Sequence, residues 1–102
     1  MALAKATLGT SIGTVYTSTN DSATTSIFFT NDNAAARTID VHLVANGGTA
    51  DATNRIIKDL SIDGGDTYIL SAEKIVLSNG DTIQAKESAT TSIYATVSYV
   101  SI

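Results

Sequence analysis

Apolar positions along this chain recur at every second residue, and no segment sustains the spacing of roughly 3.6 residues that marks an amphipathic helix. The clearest case is Arg37–Ala45, RTIDVHLVA, where Ile39, Val41 and Leu43 share one side and Asp40 and His42 the other. That alternation predicts a half-buried strand. Thr24–Asn31 (TTSIFFTN) reads as a second strand, stopped by Asn31, Asp32 and Asn33, and Thr14–Thr17 (TVYT) as a short one. In Arg55–Ile62 (RIIKDLSI), Ile56, Leu60 and Ile62 share a parity that Lys58 interrupts, which predicts a bulge or an edge position. Thr67–Leu70 and Lys74–Leu77 are further short strands. Ser92–Ile102 (SIYATVSYVSI) is strand-like throughout, with Ile93, Ala95, Val97 and Tyr99 on the expected core face. Its other face carries Tyr94, Val100 and Ile102, more apolar than a solvated face needs, and is expected to meet a partner.

Turn chemistry separates these segments. Ser18–Asp21 (STND), Asn46–Asn54 (NGGTADATN) and Asp63–Asp66 (DGGD) are loops by their Gly, Asn and Asp content. Asn79-Gly80 predicts a tight hairpin between Ile75–Leu77 and Thr82–Ala85, because both residues tolerate positive φ. Residues 1–12 read as an arm or edge strand, and residues 13–102 as one domain. About six to eight strands with frequent turns predict an all-β fold, an antiparallel β-sandwich of jelly-roll or immunoglobulin-like type. SATTSI occurs at residues 22–27 and again at 88–93. The differing flanks argue against duplication. The shared word is expected to be a polar lead-in that opens two neighbouring strands at one rim, so Thr24, Thr25, Thr90 and Thr91 join Tyr94, Val100 and Ile102 as contact candidates.

Composition narrows function mainly by exclusion. A chain of 102 residues buries roughly two-thirds of its unfolded surface, enough for one core. Without Cys there is no thiolate site, and with a single His a zinc centre has too few ligands. Ten acidic residues against six basic ones, all scattered, offer no basic face for nucleic acid. No secretory signal pattern and no apolar run of roughly twenty residues is found, so a soluble domain made in the cytosol is expected, with no membrane contact. His42 beside Asp40 is read as a surface histidine, since no nucleophile accompanies it. The Asn and Asp residues of 31–33 and 63–66 fit turn geometry better than calcium binding. No cofactor is expected. Without Trp, the six aromatic residues suit packing or protein contact more than a glycan platform.

The order of motifs does resemble a known group. GTVYTS (13–18), IFFTND (27–32), TIDVHLVANGGT (38–49), IIKDLSIDGGDTYIL (56–70), KIVLSNGDTIQAKES (74–88) and IYATVSYVSI (93–102) resemble small virion proteins of tailed bacteriophages, in which similar words recur in that order. The resemblance spans nearly the whole chain, and STNDSATT stands where an apolar turn is common in the group. It implies a non-enzymatic β-sandwich on the virion, as a capsid decoration (cement) protein bound to the major capsid protein, or alternatively a tail, neck or fibre module that binds a host surface. A homo-oligomer, with a trimer among its forms, would suit such a role. The 1–12 arm and the 46–54 loop are the segments expected to reach neighbouring subunits.

Overall fold

The computed structural model describes residues 2–71, 74–89 and 91–102. Nine strands are present among them: β1 (Ala2–Thr7), β2 (Gly13–Thr17), β3 (Ser22–Asn31), β4 (Arg37–Val44), β5 (Arg55–Ile62), β6 (Thr67–Leu70), β7 (Val76–Leu77), β8 (Thr82–Glu87) and β9 (Ile93–Ser101). They form two antiparallel sheets, one ordered β1-β9-β3-β6 with β7 also on β3, the other ordered β2-β8-β4-β5. Partners are therefore β1 with β9, β2 with β8, β3 with β6 and β4 with β5. This is one long hairpin whose arms cross repeatedly between the sheets, the connectivity of a jelly roll.

The core lies where the inward parities meet. Ile27 and Phe29 of β3 and Ile93, Ala95 and Val97 of β9 face Ile39 and Val41 of β4 and Ile83 and Ala85 of β8, and all are buried. The expected alternation of β9 holds for its first three inward residues, and Tyr99 packs partly buried against the same cluster. Its ring lies 4.6 Å from that of Tyr16.

Three strands bulge, and each bulge explains a parity that simple alternation misplaces. Thr14 and Tyr16 of β2 sit opposite the adjacent Gln84 and Ile83, so Val15 is the extra residue and both Val15 and Tyr16 are buried. Thr24 and Ser26 of β3 oppose adjacent Tyr99 and Ser98, leaving Thr25 as the extra one. On β5, Leu60 and Ile57 oppose Ile39 and Val41, and Arg55 opposes His42, so two residues are inserted in succession. β5 is thus both bulged and at an edge. The bulges turn Ile57 inward beside Leu60, while Ile56 is left 46% exposed. Asp59 takes φ 51° there, and its N–H donates to Asp40 Oδ1 at 2.7 Å.

Two expectations fail, one because a connection crosses between sheets and one because the outward side of β4 is covered. Asn79-Gly80 does turn the chain, with Asp81 N–H donating to Ser78 O, but it joins β7 in one sheet to β8 in the other and closes no hairpin. Positive φ falls on Gly80 alone, where a two-residue hairpin of the expected kind needs it at both positions. Likewise β4 is not half-buried. Asp40 and His42 are 8% and 4% exposed, and Val44 is buried beneath the 45–54 loop, where Gly48 packs closely on it.

Polar side chains on inward parities close one end of the sandwich. Asn31, the inward residue after Phe29, donates from Nδ2 to Ile62 O and Ala35 O at 2.9 Å, and its Oδ1 accepts Asn33 N–H. Glu87, inward after Ala85 and 2% exposed, accepts Ser92 N–H and Ile93 N–H, both at 2.8 Å, on one carboxylate oxygen. Asn31 is also the register partner of Ile93, so both polar groups tie into the start of β9. The same end requires Gly64, because a Cβ there would lie 2.2 Å from Ala34 O. Gly65 is different, having φ +75° and open space around it. Gly64→Ala is expected to cost about 3 kcal/mol, the upper part of the range for forced overpacking, and Gly65→Ala about 1 kcal/mol for a left-handed alanine. Denaturant titration of the two variants checks this, and equal losses would contradict it.

Candidate functional site

The charged residues are divided unevenly between the sheets. Strands β2, β8, β4 and β5 together carry seven of them: Arg37, Asp40, Arg55, Lys58, Asp59, Lys86 and Glu87. Strands β1, β9, β3, β6 and β7 carry only Lys5. The outward parity of this second sheet is correspondingly apolar or hydroxylic. Register places Lys5, Thr96, Phe28 and Ile69 in one row and Thr7, Tyr94, Thr30 and Thr67 in the next. The Thr30 and Thr67 hydroxyls are 3.2 Å apart. Toward the other end, Val76, Ala23 and Val100 form a third row. Tyr94 (46%), Ile69 (51%), Val76 (67%) and Leu3 (62%) are all well exposed. A recess of about 280 Å³ runs beside Tyr94 and Thr96 along Lys5 and Thr7.

The chemistry-bearing side chains lie elsewhere and are largely engaged by the fold. His42 is buried, not on the surface as expected, because the 45–54 loop folds over its side of β4. Its Nδ1 lies 2.8 Å from Asn54 Oδ1, and since an amide oxygen only accepts, the proton sits on Nδ1. Asn54 also accepts Asp51 N–H and donates to Thr49 O. Asp51 in turn takes the Thr53 hydroxyl and the Thr53 N–H, which hold its carboxyl below the ordinary range. Asn46 N–H donates to Asp81 Oδ1. The glycine-rich loop is therefore held at Asn46, Asp51 and Asn54, while most of its residues stay exposed. Asp40, Asp59, Lys86 and Glu87 line a polar recess of about 260 Å³, but Asp40 and Glu87 both accept backbone amides there. Among the described residues no group of three or more His, Cys, Asp or Glu is placed to hold a metal ion.

A second apolar feature opens between the edge strands β5 and β6. Leu43, Ile56, Ile57, Tyr68, Leu70 and Ile75 line a cleft of about 350 Å³ where the two sheets part. The bulges of β5 create it, since they aim Ile57 inward and leave Ile56 at the rim.

The contact candidates read from the sequence do not gather at one rim. β3 and β9 are neighbours, as SATTSI suggests, but they run antiparallel, with Ser22 opposite Ser101 and Asn31 opposite Ile93. The two SATT words consequently lie at opposite ends of the sheet, and the first of them is strand, not lead-in. Thr24 is 3% exposed. Its N–H donates to Ile75 O at 2.8 Å and its hydroxyl accepts Ile75 N–H at 3.1 Å, so it anchors the segment before β7. Thr25, at the bulge, donates to Ser98 Oγ at 2.7 Å and is partly buried. Thr90 lies outside the described residues. Thr91 is exposed in the loop before β9, and Tyr94 is exposed on the outward face. Val100 is half-buried on that face, and Ile102 is 69% exposed beyond it.

No family model, curated protein or solved structure matches the chain. The site is thus defined by its own geometry: an outward sheet face that carries Tyr94 and, among its strands, Lys5 as the single charged residue. Sequence reading found Tyr94 and Val100 but missed Phe28, Ile69, Leu3 and Val76. The usable signal was the near absence of charge from every strand of one sheet, which becomes visible only once the strands are sorted by sheet. Thr24→Val is expected to destabilise the protein by about 1–3 kcal/mol, because it strands the Ile75 amide, whereas Tyr94→Ala stays within about 0.5 kcal/mol as a surface change. Thermal unfolding distinguishes a structural from a contact residue in this way.

Proposed function

We propose that this chain is a non-enzymatic assembly protein of a bacteriophage particle, a capsid decoration (cement) protein that binds the head shell through the outward face of the β1-β9-β3-β6 sheet. The observation that carries the reading is the distribution of charge. Interface cores are depleted of charge and enriched in aromatic residues, and this sheet has a single charged side chain in five strands, with Tyr94 exposed near one end of its central strand β9. Most surfaces of a protein with sixteen acidic and basic residues in 102 do not stay so bare.

The motif order shared with small virion proteins of tailed phages supports the particle, and the jelly roll is a fold that capsid proteins use, along with lectin domains and cupins. Fold alone assigns no function. A repeating shell asks little of each copy, since weak contacts are multiplied over many equivalent sites. A rigid sandwich with one nearly uncharged face meets that requirement. Location on the virion and the major capsid protein as partner follow from the same proposal.

A second reading, a tail or fibre module that binds a host surface, draws on the aromatic and hydroxyl rows around Tyr94, Phe28, Thr30 and Thr67. Stacking and hydroxyl contacts of that kind also suit a glycan.

Co-sedimentation with purified empty shells separates the two. The protein is expected to bind shells, and Tyr94→Glu to weaken binding about tenfold or more, equivalent to about 1.4 kcal/mol. Absence of binding to shells together with specific binding to host cells would move the assignment to the second reading.

A further inference from the structure

We infer that β1 is a self-association edge, through which two copies of this chain pair β1 to β1 about a twofold axis centred on Ala4. Sandwiches protect their edges because unpaired N–H and C=O groups recruit other strands. Three edges here carry such protection. β2 is bulged at Val15, β5 is bulged twice and carries Lys58 and the left-handed Asp59, and β6 has only four residues. β1 is neither bulged nor left-handed nor as short as β6, and shares with β5 only the presence of a lysine. It runs six residues in unbroken register with β9, contains no proline, and its only charged side chain is Lys5.

The direction of its free hydrogen-bonding groups follows from the ladder. Leu8 N–H donates to Ile93 O at 2.9 Å, and hydrogen-bonded partners in an antiparallel pair recur at alternate residues. Ala6, Ala4 and Ala2 therefore bond toward β9, while Leu3, Lys5 and Thr7 point their backbone N–H and C=O away from it. Among the described residues β1 pairs with no other strand. A second extended strand is the complement of such an edge.

Which register a second copy takes is decided by Lys5. An arrangement that opposes Leu3 to Thr7 of the other copy offers three hydrogen-bonded pairs but sets Lys5 directly against its own equivalent, and like charges directly opposite are destabilising. Shifting by two residues opposes Leu3 to Lys5 of the second copy and Lys5 to its Leu3. Both are then hydrogen-bonded pairs, and Ala4 meets its equivalent on the axis. The lysine stem lies over Leu3, which is 62% exposed in the single chain, while the ammonium stays in water. Ala2, Ala4 and Ala6 on the inward parity are small enough for the backbones to approach without rearrangement. The result is a closed, isologous dimer with one continuous sheet, β6-β3-β9-β1 running into the same four strands of the second copy.

This deepens the assembly reading by naming a partner for one edge of the same sheet. A monomer that binds shells would remove the dimer alone, and a dimer that ignores shells would remove the assembly role alone. The experiment is sedimentation of the protein by itself, with Lys5→Pro as the edge-blocking variant. Lys5 N–H points away from β9, so proline there removes no internal bond and is the kind of substitution edge strands accept. The wild type is expected to sediment as a dimer and Lys5→Pro as a monomer with an unchanged circular dichroism spectrum. In the unaltered background, Ala4→Cys is expected to give a disulfide-linked dimer on mild oxidation. Non-hydrogen-bonded partners stand about 4.5 Å apart at Cα, within disulfide reach, and the chain has no other Cys. Lys5→Cys is expected not to cross-link. A monomeric wild type, a trimer, cross-linking through Lys5→Cys in place of Ala4→Cys, or a folded Lys5→Pro that remains dimeric would each overturn the inference. Should Lys5→Pro fail to fold, the Ala4→Cys result decides.

Discussion

Nine residue pairs join Ser22–Asn31 to Ile93–Ser101, and this long antiparallel ladder, formed between segments some seventy residues apart in the chain, is what every other element is arranged around. Ile27 and Phe29 enter the core from one side of it and Ile93, Ala95 and Val97 from the other, all essentially without exposure. β1 can then pair only along the free side of β9, and β6 only along that of β3. The chain between must cross to the second sheet and return, which is why neither Gly64-Gly65 nor Asn79-Gly80 closes a hairpin. Pairings of such long range are slow to find, but once made they leave little freedom to the loops. Asn31 and Glu87 show how the ends are finished. Each continues the inward parity of its strand by one apolar-to-polar step and uses its side chain to satisfy backbone groups that the sheets leave over.

Much of this was legible in the sequence, and the reason is that strand alternation is a local signal. The segments 24–31, 37–45, 55–62 and 67–70 coincide closely with β3, β4, β5 and β6. What alternation does not carry is partnership. It cannot tell a turn that folds a strand back on itself from one that passes it to the other sheet, so Asn79-Gly80 looked like a hairpin. Bulges are also silent, because one inserted residue preserves composition while reversing parity. Ile56 and Ile57 exchanged roles for that reason, and Thr25 separated from Thr24. His42 and Asp40 looked solvated because nothing in RTIDVHLVA announces that Asn54 of the following loop will hydrogen-bond His42 or that the β5 bulge will bring the Asp59 amide to Asp40.

The candidate surface was legible only in part, for a related physical reason. Tyr94, Val100 and Ile102 stood out because three apolar residues on the supposedly wet parity of one strand are excessive. The Thr residues of SATTSI drew notice by repetition, yet repetition of letters says nothing of direction, and the antiparallel ladder sends the two words to opposite ends. Thr24 in particular serves the fold, since its hydroxyl and amide both hold Ile75. Phe28 and Ile69 were invisible because each lies in a run where the neighbouring residue is equally apolar: Phe28 beside Phe29, and Ile69 between Tyr68 and Leu70.

The division of charge then acquires a mechanical sense. With a formal charge of −4, copies of this protein repel one another weakly at long range, and the acids among the described residues sit in turns, in the loops or on the β2-β8-β4-β5 sheet. In the proposed assembly, two copies, or a copy and a shell, would therefore meet with least electrostatic cost when the other sheet or its edge leads. No strong attraction is required of that face, only the absence of a penalty: hydroxyls such as those of Thr30 and Thr67 lose little when they exchange water for one another, and Phe28, Ile69 and Tyr94 gain by losing water. Under the proposed assembly role this arrangement separates two demands, because the charge that keeps copies apart and the face that would dock are carried by different sheets.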